Sequence, residues 1–103
     1  MGNPFAETLP IDALRSVIEQ AVQLHRVVLI QTKTGSGKST RVPQYLLPFA
    51  ESVVVTQPRR IAAASIAKRV AEEMGVELGT TVGYRTGTGS KASSETRLLY
   101  CTD

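Results

Sequence analysis

The sequence predicts an α/β fold built on an open, mainly parallel sheet with flanking helices. Three observations carry this prediction: short runs of β-branched and aliphatic residues alternate with helix-spaced apolar patterns, the runs lack polar alternation, and glycine or proline separates them. A strand that is apolar on both faces is typical of a sheet that helices cover on both sides. The 103 residues are enough for one small domain or for part of a larger one.

The first half of the chain is expected to hold two helices around one strand. From Pro10 to about Leu24 apolar side chains recur at helical spacing, and a proline suits the first helical turn. The run 27–30, Val-Val-Leu-Ile, predicts a buried strand. A glycine-rich turn then leads into a helix that runs through Leu47 and has Pro43 in its early turns, where a missing N–H is tolerated.

The second half repeats the strand and the helix and ends with two further strands. Val53–Val55 predicts another buried strand, and Arg59–Met74 predicts a helix whose alanines allow close packing on a sheet, with Gly75 as its stop. The predicted strands Thr81–Arg85 and Thr96–Cys101 flank a polar loop. Because a parallel return needs a crossover of about a dozen residues and this loop is shorter, we expect these two strands to pair as an antiparallel hairpin.

Composition excludes several classes of protein. Hydrophobic residues make up 42% and charged residues 20%, as in globular rather than disordered proteins. No apolar run approaches the ~20 residues that cross a bilayer, and no secretory leader is evident, so we expect an intracellular protein, cytoplasmic or nuclear, without a membrane partner. One cysteine and one histidine exclude a disulfide framework and a Cys/His zinc site in this chain. The net charge of +3 permits an anionic partner.

The most informative segment is 30–40, in which a predicted strand leads into the glycine-rich turn 32–39 and then into a predicted helix. Gly35 and Gly37 let main-chain N–H groups curl around a phosphate, and the helix N-terminus adds further N–H groups. Lys38 can bridge the β- and γ-phosphates of a nucleotide, and the Ser39 hydroxyl can ligate Mg²⁺. The segment therefore predicts a phosphate-binding loop. The alternative is an ordinary Gly/Ser turn that contains Gly-Lys-Ser.

Two arginines, Arg59 and Arg60, stand in the first turn of the predicted helix Arg59–Met74. The helix dipole is already positive there, so each exposed cation costs about 0.3–1 kcal/mol. A polynucleotide phosphate, held by both guanidiniums and the helix N–H groups, would compensate for that cost. The alternatives are a pair of solvated arginines or arginines paired with acids outside this chain. Farther along the same helix, the spacings Lys68–Glu72 and Arg69–Glu73 predict salt bridges on the helix surface.

With these motifs placed, the sequence resembles the DEAH-box (DEAH/RHA-type) branch of the superfamily 2 helicases. Residues 34–40, Thr-Gly-Ser-Gly-Lys-Ser-Thr, followed by Val-Pro-Gln-Tyr-Leu at 42–46, are similar to motif I of the family. Residues 56–63, Thr-Gln-Pro-Arg-Arg-Ile-Ala-Ala, are similar to motif Ia, and residues 101–103 resemble the start of motif Ib. The sequence departs from the family pattern at Thr32, where a small residue is usual, and at 85–87, which lack the usual Val-Arg-Phe.

The resemblance implies an ATP-dependent RNA helicase, a motor that couples ATP hydrolysis to RNA unwinding. It implies ATP and Mg²⁺ as cofactors and single-stranded RNA as a partner held through its backbone. It implies a catalytic role for Lys38, a magnesium ligand at Ser39, and nucleotide contacts from Thr34, Gly35, Ser36, Gly37, Lys38, Ser39 and Thr40. Arg69 would lie against the nucleotide base, and the nucleic acid would contact Arg59, Arg60 and Thr102.

The resemblance also implies an incomplete P-loop NTPase domain of the RecA-like type. Residues 1–9 would be a flexible lead-in, and residues 10–103 would be the N-terminal part of the ATP-binding domain, ending where motif Ib begins. The Asp-Glu-Ala-His motif and the second RecA-like domain of the family are missing from these residues, so we expect the chain alone not to hydrolyse ATP. Two alternatives stay open: another P-loop ATPase or kinase, and a non-enzymatic nucleic-acid-binding module that uses the loop only as an anion site.

Overall fold

The structure, a computed structural model, describes residues 8–31 and 37–102. A 3₁₀ turn, Pro10–Leu14, precedes α1, Arg15–Leu24, and a second one, Leu47–Phe49, follows α2, Lys38–Leu46. Next come β1, Val53–Gln57, and α3, Arg60–Met74. The chain ends with β2, Val82–Thr86, β3, Gly89–Lys91, and β4, Leu98–Thr102. None of these helices is long and apolar enough to cross a membrane.

The four strands form one open sheet in the order β1-β4-β2-β3. β4 is parallel to β1 on one side and to β2 on the other, whereas β3 is antiparallel to β2. The predicted mixed α/β class with a mainly parallel sheet is therefore confirmed. Since the last strand occupies a central position, Tyr100 of β4 lies opposite Val55 on one neighbour and Tyr84 on the other.

The predicted hairpin between the last two long strands is wrong, because β2 and β4 run parallel in register from Val82 opposite Leu98 to Arg85 opposite Cys101. The loop that we expected to join them contains β3, which returns the chain alongside β2 in the antiparallel direction. Residues 92–97 then carry the chain back to the start of β4. The short strand β3 thus serves, in place of a helix, as the crossover that lets β2 and β4 run parallel.

The predicted buried strand at 27–30 is also wrong. These residues belong to no strand among those that the structure describes, and Val27 and Leu29 are 87% and 90% exposed. Val28 and Ile30 are half-buried and line a small cavity beside Ile18 of α1. The apolar run reports what the side chains prefer, but a strand also requires backbone partners on a neighbouring strand.

The core lies between α3 and one face of the sheet. Its buried members are Leu47, Ala63, Ala67, Val70, Ala71, Val82, Leu98 and Tyr100. The helix begins within one residue of its predicted start and ends at Gly75, whose φ of +70° is in the left-handed region that favours glycine. The other face of the sheet is more open: Val54, expected to be buried, is 61% exposed because side chains alternate along β1.

Arg97 connects the start of β4 to the end of α2. Its guanidinium donates to the main-chain oxygens of Leu47 at 2.7 Å, Ala50 at 2.9 Å and Glu51 at 3.2 Å. These carbonyls follow the last turn of the helix, where a cation is favoured. An exposed arginine thus fixes the distance between α2 and the sheet.

Candidate functional site

The start of α2 has the features of an anion site. Gly37 caps the helix with φ +95°, which strains any other residue, and a Cβ there would approach Leu9 Cδ1 to 2.5 Å, so glycine is strongly favoured. Helical bonding begins where the Arg41 N–H donates to the Gly37 oxygen at 2.8 Å. Gly37 offers no side chain to cap the first turn, and the turn contains the exposed cation Lys38 and no acid. Main-chain N–H groups and a lysine therefore face the same helix end.

The predicted phosphate-binding residues divide into two groups. Thr34, Gly35 and Ser36 lie outside the described residues. Gly37, Lys38, Ser39 and Thr40 form the cap and first turn of α2. The Thr40 hydroxyl donates to the Gly37 oxygen at 3.0 Å, which further fixes the cap. The roles of all seven residues toward a nucleotide stay predictions.

The backbone of Ser39 is held from the sheet. Pro43 lies at the sixth position of α2 rather than in its first turn, so its missing N–H removes the helical bond to the Ser39 carbonyl. The hydroxyl of Tyr100 donates to that carbonyl at 2.8 Å. Burial raises the pKa of the Tyr100 hydroxyl, which keeps it protonated as a donor. The helix therefore tolerates Pro43 in its second turn, and the Tyr100 hydroxyl takes the place of the missing main-chain donor.

A cluster of five polar side chains joins the first 3₁₀ turn, α2 and α3; we call it the buried polar cluster. Arg41 contacts Asp12 at 2.6 Å and Glu73 at 2.8 Å. Glu73 also accepts from Gln44 at 2.9 Å and from Arg69 at 3.0 Å. Arg41 and Glu73 are only 8% and 3% exposed, so these charges are paired within the interior.

The partners in this cluster overcome the cost of burial. Burial by itself raises the pKa of Glu73, but hydrogen bonds from Gln44, Arg69 and Arg41 outweigh it and leave the pKa below its ordinary value. The pKa of Asp12 is lowered in the same way, against burial, by the Leu9 N–H, the Tyr45 hydroxyl and nearby arginines. Both carboxylates are therefore ionised near neutral pH.

Sequence reasoning found one link of this cluster and missed the rest. The spacing predicted the Arg69–Glu73 pair, which forms, but Glu73 is buried rather than on the helix surface. Arg41 and Asp12 carried no recognisable signal, since they meet only when the first 3₁₀ turn packs against α2. Arg69, predicted to contact a nucleotide base, is bound through Glu73 to α2, the helix that begins at the predicted phosphate site.

The three predicted nucleic-acid contacts lie together. Arg59, Arg60 and Thr102 line one open groove of about 770 Å³, with Pro58, Ile61, Ala62 and Gly87. The groove lies where β1 and β4 end and α3 begins, which is the edge of a parallel sheet where ligands commonly bind. Their role toward nucleic acid stays a prediction.

The groove carries exposed positive charge. Arg59 is the cap residue of α3 and offers no side-chain hydrogen bond to the first turn, which contains no acid. Both arginines are exposed. Two guanidiniums beside main-chain N–H groups suit a phosphate, and the open shape admits an extended chain.

Comparison with known proteins gives close relatives. No protein-family model matches the chain. It is 47% identical over 100 residues to the probable ATP-dependent RNA helicase spindle-E of Culex quinquefasciatus and 48% identical over 103 residues to that of Drosophila ananassae. It is 44% identical over 110 residues to the ATP-dependent RNA helicase DHX29 of Mus musculus. These matches cover 91% to 93% of this chain but only 7% to 8% of the relatives.

The fold is consistent with that of a RecA-like α/β domain, present in part. The matched region covers nine tenths of the chain and therefore spans both the start of α2 and the start of α3. The chain is thus a homologue of one segment of the ATP-dependent RNA helicases of the DEAH-box family. The resemblance drawn from the sequence motifs is confirmed.

Proposed function

We propose that this chain is the ATP-binding and nucleic-acid-contacting part of the first RecA-like motor domain of an ATP-dependent RNA helicase. Residues 10–103 form the N-terminal part of that domain. In the complete protein, ATP hydrolysis is coupled to the unwinding or remodelling of RNA. The relatives are named as ATP-dependent RNA helicases, which supports this function, and their much greater length agrees with a motor that has further parts.

One observation supports a coupled motor rather than two unrelated sites. The strand β4 reaches both: Tyr100 donates to Ser39 at the start of α2, and Thr102 lines the groove of the two arginines. Residues two apart on a strand point to the same face, about 6–7 Å from each other. A shift of α2 on binding a nucleotide is thus transmitted directly to the groove.

At the nucleotide end, residues 34–40 hold ATP and Mg²⁺. The Lys38 ammonium contacts the transferred phosphate, and the Ser39 hydroxyl ligates the metal. The glycine cap and the lack of an acid in the first turn of α2 fit a phosphate chain at this place. Mg²⁺, when bound, neutralises phosphate charge. Arg69, whose side chain is half-exposed and oriented by Glu73, presents its guanidinium plane to the base.

At the groove, Arg59 and Arg60 hold the backbone of single-stranded RNA by its phosphates, and the Thr102 hydroxyl adds a contact at the end of β4. Phosphate contacts position a strand without reading its sequence. We therefore expect little sequence preference from this part of the protein.

The first test is Lys38→Ala in the complete protein. Loss of the ammonium should abolish binding of Mg·ATP, measured by titration of a fluorescent analogue, and should remove any effect of ATP on RNA affinity. The matched control is Lys68→Ala, which removes an exposed lysine from α3, and it should leave both quantities unchanged.

Other outcomes would point to other functions. Unchanged ATP affinity in Lys38→Ala would refute the phosphate site. If the RNA affinity of the wild type is the same with and without ATP and Mg²⁺, a non-enzymatic nucleic-acid-binding module is favoured. Absence of RNA binding together with transfer of phosphate to a small acceptor would favour a kinase.

A further inference from the structure

The main-chain carbonyl of Ser39 lacks its usual helical partner. Inside α2 the N–H of residue 43 would donate to it, but residue 43 is proline and has no N–H. The Tyr100 hydroxyl takes that place at 2.8 Å and joins residues that are 61 apart in the sequence. A side chain of the central strand thus completes the first turn of the helix at the predicted phosphate site.

Tyr100 is held firmly enough to act as a fixed donor. Its side chain has 0% exposure and packs in the core with Val70 and Leu98. Because a carbonyl that is partly shielded from water and has no donor is costly, the bond favours one position of the Ser39 backbone over others.

We propose that Tyr100 is a positioning residue that fixes the start of α2 for the Mg·ATP complex. This inference rests on the proposed function, in which the Ser39 hydroxyl ligates Mg²⁺. The Tyr100 hydroxyl sets the Ser39 backbone, and the backbone sets where the Ser39 side chain meets the metal. Thr102 lies two residues later on the same face of β4 and lines the groove. A change in position at the start of α2 therefore reaches the groove through this strand.

Two substitutions isolate this hydrogen bond. Tyr100→Phe removes the hydroxyl with little change in shape, and Pro43→Ala restores a main-chain N–H that can donate to the same carbonyl. The matched control is Tyr84→Phe, which removes a hydroxyl from the residue directly opposite Tyr100 on β2. All variants, including the double variant, are made in the complete protein.

Tyr100→Phe should weaken the binding of Mg·ATP about fivefold to tenfold, the size of one net hydrogen bond. Binding of ATP without Mg²⁺ should stay unchanged, because the metal ligand is then not used. In the Pro43→Ala background the same substitution should weaken Mg·ATP binding by less than about twofold, since the carbonyl has regained a donor. Tyr84→Phe should match the wild type.

Equal losses in the proline and alanine backgrounds would overturn the proposal, and so would wild-type Mg·ATP affinity in Tyr100→Phe. The free energies of unfolding of the four nucleotide-free proteins test the bond itself. Tyr100→Phe must lower that free energy more in the wild-type background than with Pro43→Ala. If the wild type binds no ATP, the proposed function fails and the positioning role fails with it, while the four free energies still measure the hydrogen bond.

Discussion

At Gly37 the backbone conformation depends on the absence of a side chain. Its φ of +95° lies in the left-handed region, and the space that a Cβ would occupy is taken by Leu9 and Ile11. The neighbouring Gly35 is equally prominent in the sequence but lies outside the described residues. The structure thus gives a steric reason for the glycine at position 37 of the phosphate-binding motif.

Gly37→Ala should therefore lower the free energy of unfolding by about 1–2 kcal/mol from backbone strain alone, and by more if Leu9 cannot move. Urea denaturation at neutral pH measures this change. Gly89→Ala is the matched control, since a Cβ there meets nothing within 4 Å and Gly89 has no positive φ. Equal stability of the two variants would show that the cap tolerates a side chain.

At the scale of elements, the buried polar cluster determines how α2 packs on α3. Arg41 in α2 and Glu73 in α3 form a close pair, and Asp12 extends it to the first 3₁₀ turn. Buried charges stabilise a fold only when their partners are in place, so the cluster favours one relative position of the two helices. These helices carry the predicted phosphate site and the arginine groove at their first turns.

The lowered pKa of Glu73 makes the free energy of unfolding depend on pH in the acidic range. Because the folded state holds the carboxylate below its ordinary pKa of 4.5, the unfolded state binds more protons as the pH falls. The contribution of Glu73 is present above that value and is lost as the pH falls through the lowered pKa. Glu73→Gln should lower the free energy of unfolding at neutral pH by about 3 kcal/mol, because it removes one of the two carboxylates that pair with the buried Arg41.

In Glu73→Gln the free energy of unfolding should also fall less steeply from about pH 6 to pH 3 than in the wild type. Urea denaturation across that range measures both effects. Glu72→Gln, at an exposed neighbouring position, should keep the wild-type slope. A steeper or unchanged slope in Glu73→Gln would mean that other carboxylates carry the acid dependence.

At the scale of the whole molecule, the net charge of +3 is small, and the placement of the charges matters more than their sum. Arg59 and Arg60 concentrate charge in the groove at the carboxyl ends of β1 and β4. Binding of RNA should therefore depend on these two residues rather than on the overall field.

Arg59→Ala/Arg60→Ala should weaken RNA binding and reduce the slope of log K against log salt by about 1.4, the value for two phosphate contacts on a single strand. Titration of labelled single-stranded RNA at several salt concentrations measures the slope. Arg26→Ala/Lys68→Ala changes the net charge equally at exposed positions outside the groove and should leave the slope nearly unchanged. Equal slopes in the two double variants would refute the proposal that the groove binds RNA.

The sequence by itself determined the fold class, the helices, the glycine cap and the two cationic helix starts, because propensity, capping and charge act within a few neighbouring residues. Only the tertiary structure decided the rest. The parallel order of β2 and β4, the exposure of residues 27–30 and the bonds of Arg41, Glu73 and Tyr100 all depend on distant backbone or side-chain partners. Such pairings follow from which surfaces meet in space, and the spacing of residues along a chain does not contain that information.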